Sequence, residues 1–135
     1  MIDQLCEVLR RQAEAAERVE ARLRAVELIA AAGEQRFIGI ALDELESAGE
    51  QLAALELTRT LALAGAGLPT DVTATELCEA VLDDDEADAL RDVVGSLAIA
   101  VDRLEDAKRR THQVVATATQ TNTRRLAAAS ALSTA

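Results

Sequence analysis

A chain of 135 residues and 14.3 kDa predicts a single domain spanning 1–135. Fourteen Lys and Arg against 24 Asp and Glu leave a net charge of −10, which argues against nucleic acid as a partner, because phosphate binding needs a surplus of cations. Half of the residues are hydrophobic, 29 of the 135 being Ala and 19 Leu, with one Phe and no Tyr or Trp; this composition excludes a charged disordered tail and predicts an all-α protein.

Residues Ile2 to Gly33 hold one heptad register. Ile2, Leu9, Ala16, Leu23 and Ala30 occupy the a positions, and Leu5, Gln12, Val19 and Val26 the d positions. An apolar repeat of this length predicts a long helix, about 2–32, whose narrow seam packs against other helices. Glu7 and Arg11, Glu14 and Arg18, and Glu20 and Arg24 stand four apart in the favourable acid-before-base order, and read as a solvated face. Gly33 can take the left-handed conformation that ends a helix. A second apolar series, Ile38, Leu45 and Leu52 with Ala41, Ala48, Leu55 and Ala62, predicts a helix over about 34–64. The short connection sets it antiparallel to the first, and one bent helix running through Gly33 is the alternative.

The segment 65–72, Gly-Ala-Gly-Leu-Pro-Thr-Asp-Val, contains two glycines and the only proline, and predicts a break. Thr73 and Glu76 have capping-box spacing, and Val72 and Leu77 the spacing of a hydrophobic staple, so a short helix is expected over about 73–82. The acids from Asp83 to Glu86 suit the N-terminus of a following helix. Leu90, Leu97 and Leu104 with Val93, Ala100 and Ala107, continued by Thr111, Val114 and Ala118, carry that last helix to about 86–132. Its far part, rich in Thr, is a weak helix former in which fraying is expected. The architecture expected is an elongated antiparallel helical bundle or coiled coil, with two long N-terminal helices, a short helix and a long C-terminal helix.

No catalytic residue, metal ligand or cofactor site is assigned. The acids between Asp71 and Asp88 are partly contiguous and lack the turn glycine and alternating spacing of a calcium loop, so they read as capping and solubilising groups. His112, the sole histidine, stands among Arg109, Arg110 and threonines without a carboxylate or nucleophile at a telling distance in sequence. Gly65 and Gly67 precede no Gly-Lys-Ser/Thr, which removes a phosphate loop. Cys6 and Cys78 lie far apart without a CxxC and read as reduced thiols of a cytoplasmic protein filling apolar helix positions. The uncharged stretch Thr60–Thr70 is too short to insert in a membrane, and Met1-Ile2-Asp3-Gln4 has no signal-peptide character.

What remains is surface for a protein partner. An apolar helical seam either closes on itself or receives another amphipathic helix. The stretch Thr111–Thr123 combines apolar area with weak intrinsic helicity. It is either a segment that orders on binding or the outer end of a bundle helix. The candidate partner-binding residues are Leu104, Ala107, Thr111, Val114, Val115, Ala118, Asn122 and Leu126.

Three stretches resemble the flagellar hook-associated-protein export chaperones of the FlgN type. The run 52–59, Leu-Ala-Ala-Leu-Glu-Leu-Thr-Arg, followed by Gly67-Leu68, is similar to that family's Leu-rich stretch with an Arg before Gly-Leu. Thr73-Ala74-Thr75-Glu76-Leu77 is similar to its short helix, and Asn122-Thr123-Arg124-Arg125-Leu126 with Ser130 and Leu132 to its closing pattern. Ala118 and Thr119 depart from the family's second Asn, and no Tyr stands in the last helix. The resemblance implies a cytoplasmic, non-catalytic chaperone, monomeric or weakly dimeric. It would bind hook–filament junction proteins, prevent their premature assembly and deliver them to the type III export gate. A self-associating coiled-coil scaffold or regulator without an export client is the competing expectation.

Overall fold

The structure is a computed structural model that describes residues 2–72, 74–81 and 83–134. Its regular structure among these residues is helical throughout: α1 spans Ile2–Ala31, a 3-10 turn Gln35–Phe37, α2 Ile38–Gly65, α3 Ala74–Ala80 and α4 Asp84–Thr134. The expected helices are all present. Gly33 separates the first two, so the bent single helix is not formed, and α4 begins two residues earlier than expected and stays helical through its Thr-rich part. Thr73 of the expected capping box and Leu82 at the expected end of the short helix lie outside the described residues.

The breaks after α1 and after α2 share one chemistry. Gly33 and Gly67 have φ of 73° and 72°, the left-handed region that L side chains avoid. At the first, the Glu34 N–H donates to the Ile29 carbonyl and the Gly33 N–H to that of Ala30. At the second, Leu68 donates to Leu63 and Gly67 to Ala64. Both are Schellman closures, which satisfy carbonyls that the helix end would leave open. At the start of α4, Asp83 Oδ1 accepts the Glu86 N–H at 2.9 Å, an N-cap.

Helix α1 is the centre of the molecule. It packs on α2 on one side and α4 on the other, and α2 and α4 make no backbone approach to each other among the described residues. Arg22 Nη1 lies 2.9 Å from Glu44 Oε2, and at the far end Leu5 and Leu9 share a cavity of about 200 Å³ with Arg59 and Leu63. Low α1 numbers therefore meet high α2 numbers, and the pair is antiparallel. With α4 the relation is parallel. Thr111 Oγ1 donates to the Leu23 carbonyl 88 residues earlier, at 3.3 Å. The same offset relates Leu9 to Leu97, which line the small cavity, and Ala30 to Ala118, which line a larger groove at the opposite end.

This offset makes the two heptad seams coincide. It sets Ala16 level with Leu104, Val19 with Ala107 and Gln12 with Ala100, so that large and small side chains alternate across the interface. All six are buried, as are Leu90 and Leu97. Helix α2 contributes mainly small residues to the contact with α1, Ala41 and Ala48, with Leu63 at its end, while Leu45 and Leu52 are half-buried. Helix α3 closes the base of the bundle by burying Leu77 and Cys78. Of the three acid–base pairs read along α1, Glu7–Arg11 closes at 3.1 Å, and Glu7 also meets Arg10. These groups are about half exposed, where such pairs add little stability.

Candidate functional site

The groove arises from unequal helix lengths. Helix α1 has 30 residues and α4 has 51. At the offset of 88, Ala31 is level with Thr119. Residues 120–134 of α4 consequently extend past the end of α1 for about 22 Å, at about 1.5 Å per residue. Where the turn meets the side of α4 there is an open groove of about 860 Å³. One wall is Ala30, Ala31, Ala32 and Gly33 with Gln35 and Ile38; the other is α4 from Gln113 to Arg125. The alanines and the glycine keep the turn thin, which holds the groove open.

The eight candidate partner-binding residues fall into three groups. Leu104, Ala107 and Thr111 are buried, between 2% and 6% exposed, in the seam with α1 and present no surface to a partner while the bundle is closed. They belong to the fold because the parallel α1 seam covers the same heptad positions. Val114, Val115, Ala118 and Asn122 line the groove. Leu126, 62% exposed, lies beyond it on the overhang. Sequence reasoning missed the second wall at the α1–α2 turn and Arg125 within the lining. Both were signalled by the early Gly33 break set against the unbroken heptads of the last helix.

The rest of the titratable chemistry is dispersed. Among the described residues no three His, Cys, Asp or Glu converge on a possible metal position. His112 is exposed and hydrogen-bonds to no other described residue. Cys6 and Cys78 are free and buried, and desolvation raises the Cys6 thiol above its ordinary pKa. Among the described residues no helix is long and apolar enough to cross a membrane. The site is thus a feature of an all-α protein with, among the described residues, three long helices and one short one, and it is lined by apolar and threonine side chains together with Gln35, Gln113, Asn122 and Arg125. Compared with protein-family profiles, curated proteins and solved structures, the chain matches none.

Proposed function

We propose that this chain is a non-catalytic chaperone that holds a helical segment of another polypeptide, in the manner of the flagellar export chaperones. Its clients would be the ends of hook–filament junction proteins, kept from assembling in the cytoplasm and released to the export gate. The observation that carries the reading is the open groove between the α1–α2 turn and α4, continued by the part of α4 that runs on beyond the end of α1. A helix laid there continues the heptad packing that α1 breaks off at Ala31. The net charge of −10 keeps such a carrier and its complex dispersed.

Co-expression with the terminal segments of hook-associated proteins tests it. The full chain is expected to co-purify with at least one of them, and the chain ending at Thr119 to lose it. Retention by the shortened chain, or no co-purification by the full chain, overturns the reading. One observation favours a self-associating scaffold instead: α2 presents Ile40, Leu57 and Leu61 outward, each more than 60% exposed. Light scattering decides, since that alternative requires a stable homo-oligomer and the chaperone a monomer or weak dimer.

A further inference from the structure

Charge is divided along this chain more sharply than its total suggests. All 24 acidic residues lie at or before Asp106, with nine Arg, for a net −15. Residues 107–135 carry Lys108, Arg109, Arg110, Arg124 and Arg125 and no acid, for a net +5. Lys108 and Arg109 are engaged by Glu105 and Asp106 on the preceding turn. Arg110, Arg124 and Arg125 form no ion pair among the described residues. At the α1–α2 turn the nearby acid, Glu34, is already met by Arg36 at 3.7 Å.

One of these three cations lies at the groove. Arg125 lines it. Counted from Leu97 and Leu104 in sevens, Arg125 falls on the seam itself, one heptad beyond Ala118, where α1 no longer covers α4. Arg110, fifteen residues earlier, lies within about 60° of the same helix face. A cation at a seam position opposes association with a neutral or basic helix and favours one bearing a carboxylate at the facing position.

From this geometry we infer that the groove and the α4 overhang select an acidic amphipathic helix, with Arg125 as the charge that reads it. The inference rests on the proposed partner-binding role of this groove and adds the chemistry of what enters it. The recess is an open groove between the α1–α2 turn and α4, lined by Ala, Val and Thr with few polar side chains besides, and it continues the heptad seam that a helix would pack on. The body at −15 repels polyanions and anionic bilayers, whereas a short acidic helix on the overhang lies beyond most of that charge.

The test uses the full chain and three synthetic peptides of about three heptads each, identical in their Leu seam and carrying Glu, Gln or Lys at the flanking positions. The Glu peptide is expected to bind at least tenfold more tightly than the Lys peptide, with an advantage that shrinks as salt is raised. In the variant Arg124→Glu/Arg125→Glu the order should reverse. Both positions are exposed, and Arg124→Gln/Arg125→Gln, which should abolish the preference without reversing it, is the second variant. Equal binding of the three peptides, a preference untouched by either variant, or binding of phosphatidylglycerol vesicles or duplex DNA in place of the Glu peptide overturns the inference. The two failures are separable. If the Glu peptide binds with this charge dependence and no hook-associated segment does, the export reading falls and the groove's selectivity stands. If those segments bind the charge-reversed chain as well as the original, the selectivity falls and the export reading stands.

Discussion

Gln12 is, like Thr111, a polar residue buried in the central seam, but it lacks Thr111's hydrogen bond. It is 4% exposed, and its Oε1 has no hydrogen-bond partner among the described residues. An unpaired buried carbonyl costs about 1–3 kcal/mol. Gln12→Leu, similar in volume and level with Ala100, should therefore raise the urea midpoint, by about 1 kcal/mol of stability. A lowered midpoint would show that the carboxamide contributes to the seam. Leu90, fully buried, gives the opposite case: Leu90→Ala should cost about 2–5 kcal/mol by leaving a void between α1 and α4. At Cys6 burial raises the folded-state pKa above the unfolded thiol's. The unfolded chain then loses its proton first as pH rises, so the stability from this group is complete below the ordinary thiol pKa and declines above it. Denaturant titrations across the alkaline range should show that decline, and Cys6→Ala should flatten it.

Each helix owes its limits to a few residues at its ends. Gly33 and Gly67 supply the left-handed residue of two Schellman closures. No side chain stands within 4 Å of where either Cβ would be, so Gly33→Ala pays backbone strain alone, about 1–2 kcal/mol by thermal melting. A melting temperature unchanged by this substitution would mean that the turn has other ways to close. Asp83→Ala should lower stability by about 0.5–2 kcal/mol, since Glu86 loses its acceptor at the start of α4. The Thr-rich part of α4 is helical in spite of weak propensity. There Thr119 and Thr123 donate their hydroxyls to carbonyls one turn back, at 2.8 and 2.9 Å. Such bonds satisfy the hydroxyl without a partner helix, which suits a segment that projects from the bundle.

At the scale of the molecule, three helices form an open layer, α2–α1–α4, with α4 longer than its support. Removing the chain after Thr119 deletes the overhang and the end of the groove but, among the described residues, none of the buried seam. The shortened chain should keep its melting temperature and lose helicity only in proportion to its length. Deleting from Thr111 also removes the buried Thr111 hydroxyl and Val114, and should melt measurably lower. Circular dichroism on the two truncations checks both outcomes. The outward leucines of α2 extend the same layer logic. An apolar helix with one neighbour is the surface from which any self-association would start, and Leu57→Glu/Leu61→Glu should remove it while leaving the groove intact.

Heptads at Leu9, Leu23, Leu97 and Leu104 made the helices and their inner faces legible, because a 3.5-residue apolar repeat has few other ways to be buried. Gly33, Gly67 and the acids at Asp83 likewise announced the breaks, since backbone conformation and capping are local properties. Which seam meets which was not local. The offset of 88 residues between α1 and α4 follows from their joint packing, and it turned Leu104, Ala107 and Thr111 into core while leaving Val114, Ala118 and Asn122 beside a groove. The charge division was present in the linear order all along. Only the tertiary arrangement placed Arg124 and Arg125 beyond the end of α1, with Arg125 on a seam position that no ion pair answers among the described residues.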